Sequence, residues 1–262
     1  MFAAESFSHR FLQHQSRHFF LLEEASKARI MEPLPKNFNQ NQKQPINVEL
    51  FKKMAIDAGF QDLELLEIIY SDLKYGAKLG CKGKFREPTK SSNAPSSYEF
   101  GDRVSDSICE WIKAGYAAGP YEIDEIPDDA KISGLMVKLK PNGKARLILN
   151  LSAPKGSSVN EGIDKKDYPA KMTSTMKFVR VLNKCGKNCK FVKLDWSAAY
   201  KQVKVSEKDR SLQYFEWLGR YFLELCLIFG CFSSVGIYNR FAKLVLFIAL
   251  QLTGITCSSA NR

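Results

Sequence analysis

A chain of 262 residues, 45% apolar and 12% aromatic, can bury one sizeable core or two small ones and reads as globular. No stretch reaches the roughly 18 to 20 uninterrupted apolar residues of a membrane span, and the longest run, Leu244 to Leu250, meets Gln251 at once and reads as a buried helix. The formal charge of +11 is localised: from Lys131 to Leu194 fifteen Lys or Arg face three acids (Glu161, Asp164, Asp167), a surplus of +12 that leaves −1 for the remainder. Such a segment suits a groove lined with phosphates, although a solvated basic face has the same composition.

Residues 1–45 read as an N-terminal tail and linker ending in the polar stretch "NFNQNQKQP". Glu5, Glu23 and Glu24 argue against a mitochondrial presequence, which avoids acids. Residues 46–119 form a helical N-terminal region. From Asn47 to Tyr75 the apolar residues Val48, Leu50, Phe51, Met54 and Ala55, then Leu63, Leu65, Leu66 and Ile69, recur at helical spacing, and Gly59 divides them into two short helices. A loop rich in Ser, Pro and Asn (Pro88 to Ser97) follows, then an amphipathic helix from about Tyr98 to Ala118 that Gly119 and Pro120 close.

Residues 120–262 change character. "LMVKLK", "PNGK" and "ARLILNLS" spell a hairpin whose arms are rich in branched residues and whose turn is Asn142-Gly143. Ser174 to Asn183 reads as a helix, "KFVKLD" as a buried strand ending in Asp195, and "LQYFEW" with "RYFLELCL" as a second hairpin around Leu218-Gly219. Ser233 or Ser234 then caps a helix that runs to about Leu252. The sum is an α+β fold with strand pairs and helices on one face.

The seven cysteines (Cys81, Cys109, Cys185, Cys189, Cys226, Cys231, Cys257) are odd in number with no secretory signal ahead of them. They predict reduced thiols and an intracellular chain, in nucleus or cytoplasm, that is not secreted. Cys185 and Cys189 stand one residue further apart than a C-x2-C knuckle, and His9, His14 and His18 lie far off, so the pair reads as loop thiols and not a zinc site.

Asp195 closes an apolar strand ahead of Trp196, Ser197, Ala198, Ala199 and Tyr200. A carboxylate on a rigid strand end that reaches a cleft suits a metal ligand, while the same local pattern also fits a turn residue or a helix cap.

Three blocks in order, "MVKLKPNGKARLILNLSAPKGSSVN", "FVKLDWSAAYKQVKV" and "YFLELCLIFGCFSSVGIYNRF", resemble the reverse transcriptase succession of basic fingers hairpin, first palm aspartate and glycine turn before the palm helix. Lys155 to Asn160 and the pair Gly119-Pro120 look most like retroelements of the DIRS group, which move with a tyrosine recombinase. The resemblance covers about Asn47 to the C-terminus. It implies the fingers and partial palm of a right-hand polymerase with N-terminal helices, acting as an RNA-directed DNA polymerase (a nucleotidyltransferase) on a template-primer and deoxynucleotides. Position by position it implies that Lys144 and Arg146 clamp the triphosphate, that Asp195 is the catalytic, magnesium-binding aspartate, that Tyr200 closes off the sugar 2′ position, and that Phe229 and Gly230 line the nucleotide and template site. For Tyr200 and Phe229, ordinary core packing is the competing reading.

The sequence also departs from that pattern. The family usually has proline where Ile228 and Val235 stand, and its second carboxylates lie in a Tyr-x-Asp-Asp hairpin after the palm helix, whereas here the only acids after Asp209 are Glu216 and Glu224. Two magnesium ions need aspartates from two neighbouring strands, so the chain is expected to be truncated before that motif and inactive alone. The rival readings are a non-catalytic nucleic-acid-binding protein of retroelement origin and a scaffold whose basic segment is only surface.

Overall fold

Asn47 and Asp62 each accept a backbone hydrogen bond at 3.0 Å, from Leu50 and Leu65, and so cap the first two helices, α1 (Val48–Asp57) and α2 (Leu63–Tyr75). The computed structural model describes residues 46–82, 89–141, 143, 145–170, 174–188 and 196–253. Gly59, at φ 79°, divides the two helices where the apolar spacing placed the break. α2 buries Leu66, Ile69 and Leu73, one stripe at intervals of three and four.

Asp72 lies on the same helix, and burial pushes its carboxyl up to about 6 against the opposing pull of Arg240 and Lys78. The folded chain therefore holds a proton that the unfolded chain, with the carboxyl near 3.8, has released. The stability this confers is present below about pH 4 and is lost as the pH rises through about 6. Asp72→Asn should raise stability at pH 7 by roughly 2 kcal/mol and change it little at pH 3.5. Thermal melts across that range measure the effect, and an equal gain at both ends would contradict it.

The single helix expected from Tyr98 to Ala118 is instead two helices and a strand. β1 (Thr89–Lys90) leads to α3 (Pro95–Glu99), which has proline in its first turn, and then to α4 (Gly101–Lys113). β2 (Ala117–Tyr121) follows, straddling residues 119 and 120. The alanines favour helix, but pairing overrides that preference: Ala117 and Ala118 sit opposite Glu224 and Leu223, and a Cβ on Gly119 would meet the Tyr221 carbonyl oxygen at 2.8 Å.

β3 (Lys131–Leu139) and β4 (Ala145–Asn150) form the expected hairpin, in register from Gly134 opposite Asn150 to Leu139 opposite Ala145. Its turn residues Asn142 and Lys144 lie outside the described residues, and Gly143 has φ 75°. β3 changes partner along its length: Lys131–Ser133 run parallel to β1 and to β5 (Tyr214–Trp217), and the remainder pairs with β4. Gly134 marks the switch, since any Cβ there would collide with the Ser92 carbonyl.

The helix predicted from Ser174 is α5 (Thr175–Cys185), capped by the Ser174 hydroxyl accepting from Lys177 N–H at 3.2 Å. The strand predicted at "KFVKLD" lies outside the described residues. β5 and β6 (Arg220–Glu224) make the second hairpin, and positive φ at both Leu218 (53°) and Gly219 (79°) matches the tight turn that the right-handed strand twist favours. Among the described residues the sheet runs β1-β3-β5-β6-β2, with β4 against β3.

α6 (Phe232–Thr253) begins one residue before the expected serine cap, so Ser233 and Ser234 are buried in its first turn and Ser233 Oγ lies 3.3 Å from Cys231 Sγ. α6 was expected to be buried from Leu244 to Leu250; it buries Leu244 and Ile248 but leaves Leu246 48% exposed. By length and composition it is the one described helix that could cross a membrane, with mean hydropathy 1.4. Its inner face, with Ile237, Phe241 and Leu244, belongs to one core shared with α1, α2, α4 and the sheet. Within that core Trp217 is enclosed and donates from Nε1 to Ser105 Oγ at 3.0 Å.

Candidate functional site

Alternation along β4 decides which way Arg146 faces. Leu147 and Leu149 are buried, so Arg146 between them and the hairpin turn emerges on the open face. Its guanidinium lies 4.8 Å from the centroid of the Phe229 ring, which is 45% exposed. Tyr200 meets the same ring, at 4.7 Å between centroids and 42° between planes, and its other neighbour is Tyr238 on α6 at 5.4 Å. Half-burial raises the Tyr200 phenol above its ordinary range. The aromatic series continues from Tyr238 to Trp196 at 6.0 Å and from Trp196 to Phe241 at 5.0 Å, where the two rings are nearly parallel.

Tyr200 is carried by the 3-10 turn Ala199–Gln202, which follows Ala198 in a left-handed conformation at φ 49°. Phe229 and Gly230 form the turn between β6 and α6. Gly230 has φ 107°, and a Cβ there would collide with the Leu149 carbonyl of β4, so only glycine allows this turn to lie against the hairpin. Ile228, one of the two positions at which the resemblance leads one to expect proline, is buried, and Val235, the other, is 40% exposed on α6.

Asn160 fixes the turn. Its Nδ2 donates to the Gly230 carbonyl at 2.7 Å and to Ser152 Oγ at 2.9 Å, and its Oδ1 accepts from Phe232 N–H at 2.8 Å. Asn160 is itself held in a 3-10 turn (Val159–Gly162) by the Ser158–Glu161 capping box, where N–H groups of Gly156 and Ser158 hold the Glu161 carboxyl below its usual range. Asn160→Ala should cost about 1 to 3 kcal/mol by leaving the turn's polar groups unpaired. Asn160→Asp keeps the acceptor for Phe232 N–H but turns a carboxylate oxygen toward the Gly230 carbonyl, so it should cost at least as much. Chemical denaturation of the three proteins checks the order, and equal stabilities would show that the turn holds without the pin.

Of the residues singled out from sequence, Arg146, Tyr200, Phe229 and Gly230 thus come together, while Lys144 and Asp195 lie outside the described residues. The cationic segment also changes: Lys131 is only 2% exposed and cannot reach a phosphate. Ten of its cations are both described and exposed, namely Lys138, Lys140, Arg146, Lys155, Lys165, Lys166, Lys177, Arg180, Lys184 and Lys187. Asn160 and Tyr238 carry no sequence signal of a place in this site, because contacts made across the fold leave no periodicity.

For magnesium, the described carboxylates are a poor fit. Glu216 accepts from Gly219 N–H at 2.7 Å within its hairpin, Glu224 is ion-paired with Lys201, and Asp129 accepts from Ser211 at 3.4 Å. No three of the described His, Cys, Asp and Glu gather as a ligand set. Asp195, the residue that the resemblance makes a magnesium ligand, lies outside the described residues.

No protein-family model and no curated protein matches the chain. Among solved structures, it is similar to a foamy viral protease-reverse transcriptase in complex with double-stranded DNA, at 15% identity and a TM-score of 0.43 over 82% of this chain and 37% of that one. It is also similar to the prototype foamy virus protease-reverse transcriptase, at 13% identity and TM-score 0.46 over 76% of this chain and 26% of that one. A foamy viral protease-reverse transcriptase in complex with an RNA/DNA hybrid gives 15% identity and TM-score 0.45 over 80% and 27%. The chain therefore spans well under half the length of these proteins.

Proposed function

We propose that the region from about residue 120 onward is the fingers and first part of the palm of a reverse-transcriptase-like polymerase of the DIRS type, and that Arg146, Tyr200, Phe229 and Gly230 receive an incoming deoxynucleotide. The observation that carries this reading is convergence. Three segments far apart in the chain, carrying Arg146, Tyr200 and the adjacent pair Phe229-Gly230 in motifs that follow the family order, meet on an open face.

The chemistry of the set fits a nucleotide. An arginine lying over an aromatic ring keeps donors for phosphate oxygens while its plane is held by the ring, which fixes the fork. The exposed Phe229 face offers an apolar surface beside those donors, and Tyr200 stands as a wall against its edge. Lys144 would supply a second cation from the hairpin turn. Template and primer would lie along the exposed cations of residues 138–187.

One observation favours a second reading, a nucleic-acid-binding protein without chemistry: Glu216 and Glu224 are both engaged structurally. Photo-cross-linking of a deoxynucleoside triphosphate separates the two. The polymerase reading expects label on the Arg146–Tyr200–Phe229 set, and the binding-protein reading expects none there.

A further inference from the structure

The residue after Tyr200 points into the protein. Lys201 Nζ pairs with Glu224 Oε2, with the Lys201 side chain 14% exposed and that of Glu224 fully buried. The ammonium also lies 3.9 Å from the centroid of Trp111 on α4 and 6.0 Å from that of Tyr116. Glu224 Oε1 is buried with no hydrogen-bond partner among the described residues. Beside it the enclosed Gln213 donates from Nε2 to the carbonyls of Glu224 (3.0 Å) and Cys226 (3.1 Å). Burial pushes the Glu224 carboxyl up, and Lys201 opposes that shift.

A buried pair of this kind contributes little net stability, because desolvating two ions offsets most of their attraction, and an apolar pair of similar volume is often at least as stable. What an ion pair supplies is registry, since one alignment of the chain satisfies it and its neighbours leave a buried charge alone. The alignment here concerns two segments. Val205 N–H donates to Leu225 O and Leu227 N–H to Val203 O, both at 2.9 Å, so the chain after Tyr200 runs beside the chain between Glu224 and Phe229. Lys201–Glu224 and Tyr200–Phe229 are then two ties between the same two segments, one inside the protein and one at the site.

We propose that Lys201 and Glu224 are positioning residues that set the register of these segments and thereby hold the Tyr200 ring against Phe229. Their role in substrate selection rests on the nucleotide reading given above; their role in placing the ring does not.

Fluorine NMR of the full chain labelled with 3-fluorotyrosine tests both, with the Tyr200 resonance identified by its loss in Tyr200→Phe. In Lys201→Met/Glu224→Leu the melting temperature should stay level or rise while the Tyr200 resonance shifts or splits, and dTTP should bind roughly tenfold more weakly, a modest share of what misplacing a reacting group can cost. A folded double variant whose Tyr200 resonance keeps its wild-type position overturns the proposal. If that variant does not fold, two conservative ones decide. Lys201→Arg can still reach the carboxylate and should keep the resonance in place, whereas Glu224→Asp is one methylene short and should move it; an unmoved resonance in Glu224→Asp overturns the proposal equally. Failure of the wild-type chain to bind dTTP would remove the nucleotide reading alone, and the fluorine spectra would still decide whether the pair positions the ring.

Discussion

Raising the salt from 50 to 200 mM should weaken nucleic-acid binding by this chain roughly a thousandfold. The expectation follows from where the charge lies. Ten exposed cations lie among the described residues of 138–187, and if six of them touch phosphates, six counterions are released on binding, which alone gives a loss of that size over a fourfold change in salt. Lys131 should contribute nothing because it is buried, so Lys131→Gln should leave the salt slope unchanged. Replacing Lys138 and Lys140 with glutamine should reduce the slope by about one unit for each contact removed. Fluorescence anisotropy of a labelled hybrid at four salt concentrations measures all three. A flat profile would leave the segment as ordinary solvated surface.

Tyr200→Ala should narrow the preference for dUTP over UTP by roughly tenfold to a hundredfold, because the two ligands differ only at the 2′ position that the ring is proposed to close. A steric wall acts on the competitor, so affinity for dUTP itself should change far less. Packing makes a different prediction. Tyr200 touches Phe229 and Tyr238 and is half-buried, and a purely structural ring would cost about 3 to 5 kcal/mol on removal and weaken both ligands alike. Tyr200→Phe keeps the ring and should keep the discrimination. Competition binding with the two nucleotides, read together with the melting temperature, separates the cases; an unchanged ratio with a large loss of stability would make Tyr200 a core residue.

The parts of the fold legible in sequence are those with local causes. Asn47 and Asp62 cap helices because their side chains reach N–H groups three residues on, and Leu218-Gly219 turns because both residues adopt positive φ. Ala117 to Tyr121 has a helix-like sequence yet is a strand, only through Tyr221 to Glu224 a hundred residues further along, and nothing nearby announces that partner. The site shows the same division. Arg146, Tyr200, Phe229 and Gly230 stand in recognisable motifs, whereas Asn160, Tyr238 and the Lys201–Glu224 pair act across the fold, and Lys201, next to Tyr200 in the sequence, reads as surface until the glutamate that it meets is seen. Asp195, on which the metal chemistry of the resemblance depends, lies outside the described residues.

Photo-cross-linking with 5-azido-dUTP, followed by peptide mapping, tests most directly whether the contact set of Arg146 with Tyr200, Phe229 and Gly230 receives a nucleotide. Label should fall on the peptides that contain Arg146, Tyr200 and Phe229, be displaced by excess dTTP, and drop sharply in Arg146→Ala. Label spread over the exposed lysines of α5, or undisplaced by dTTP, would contradict the account.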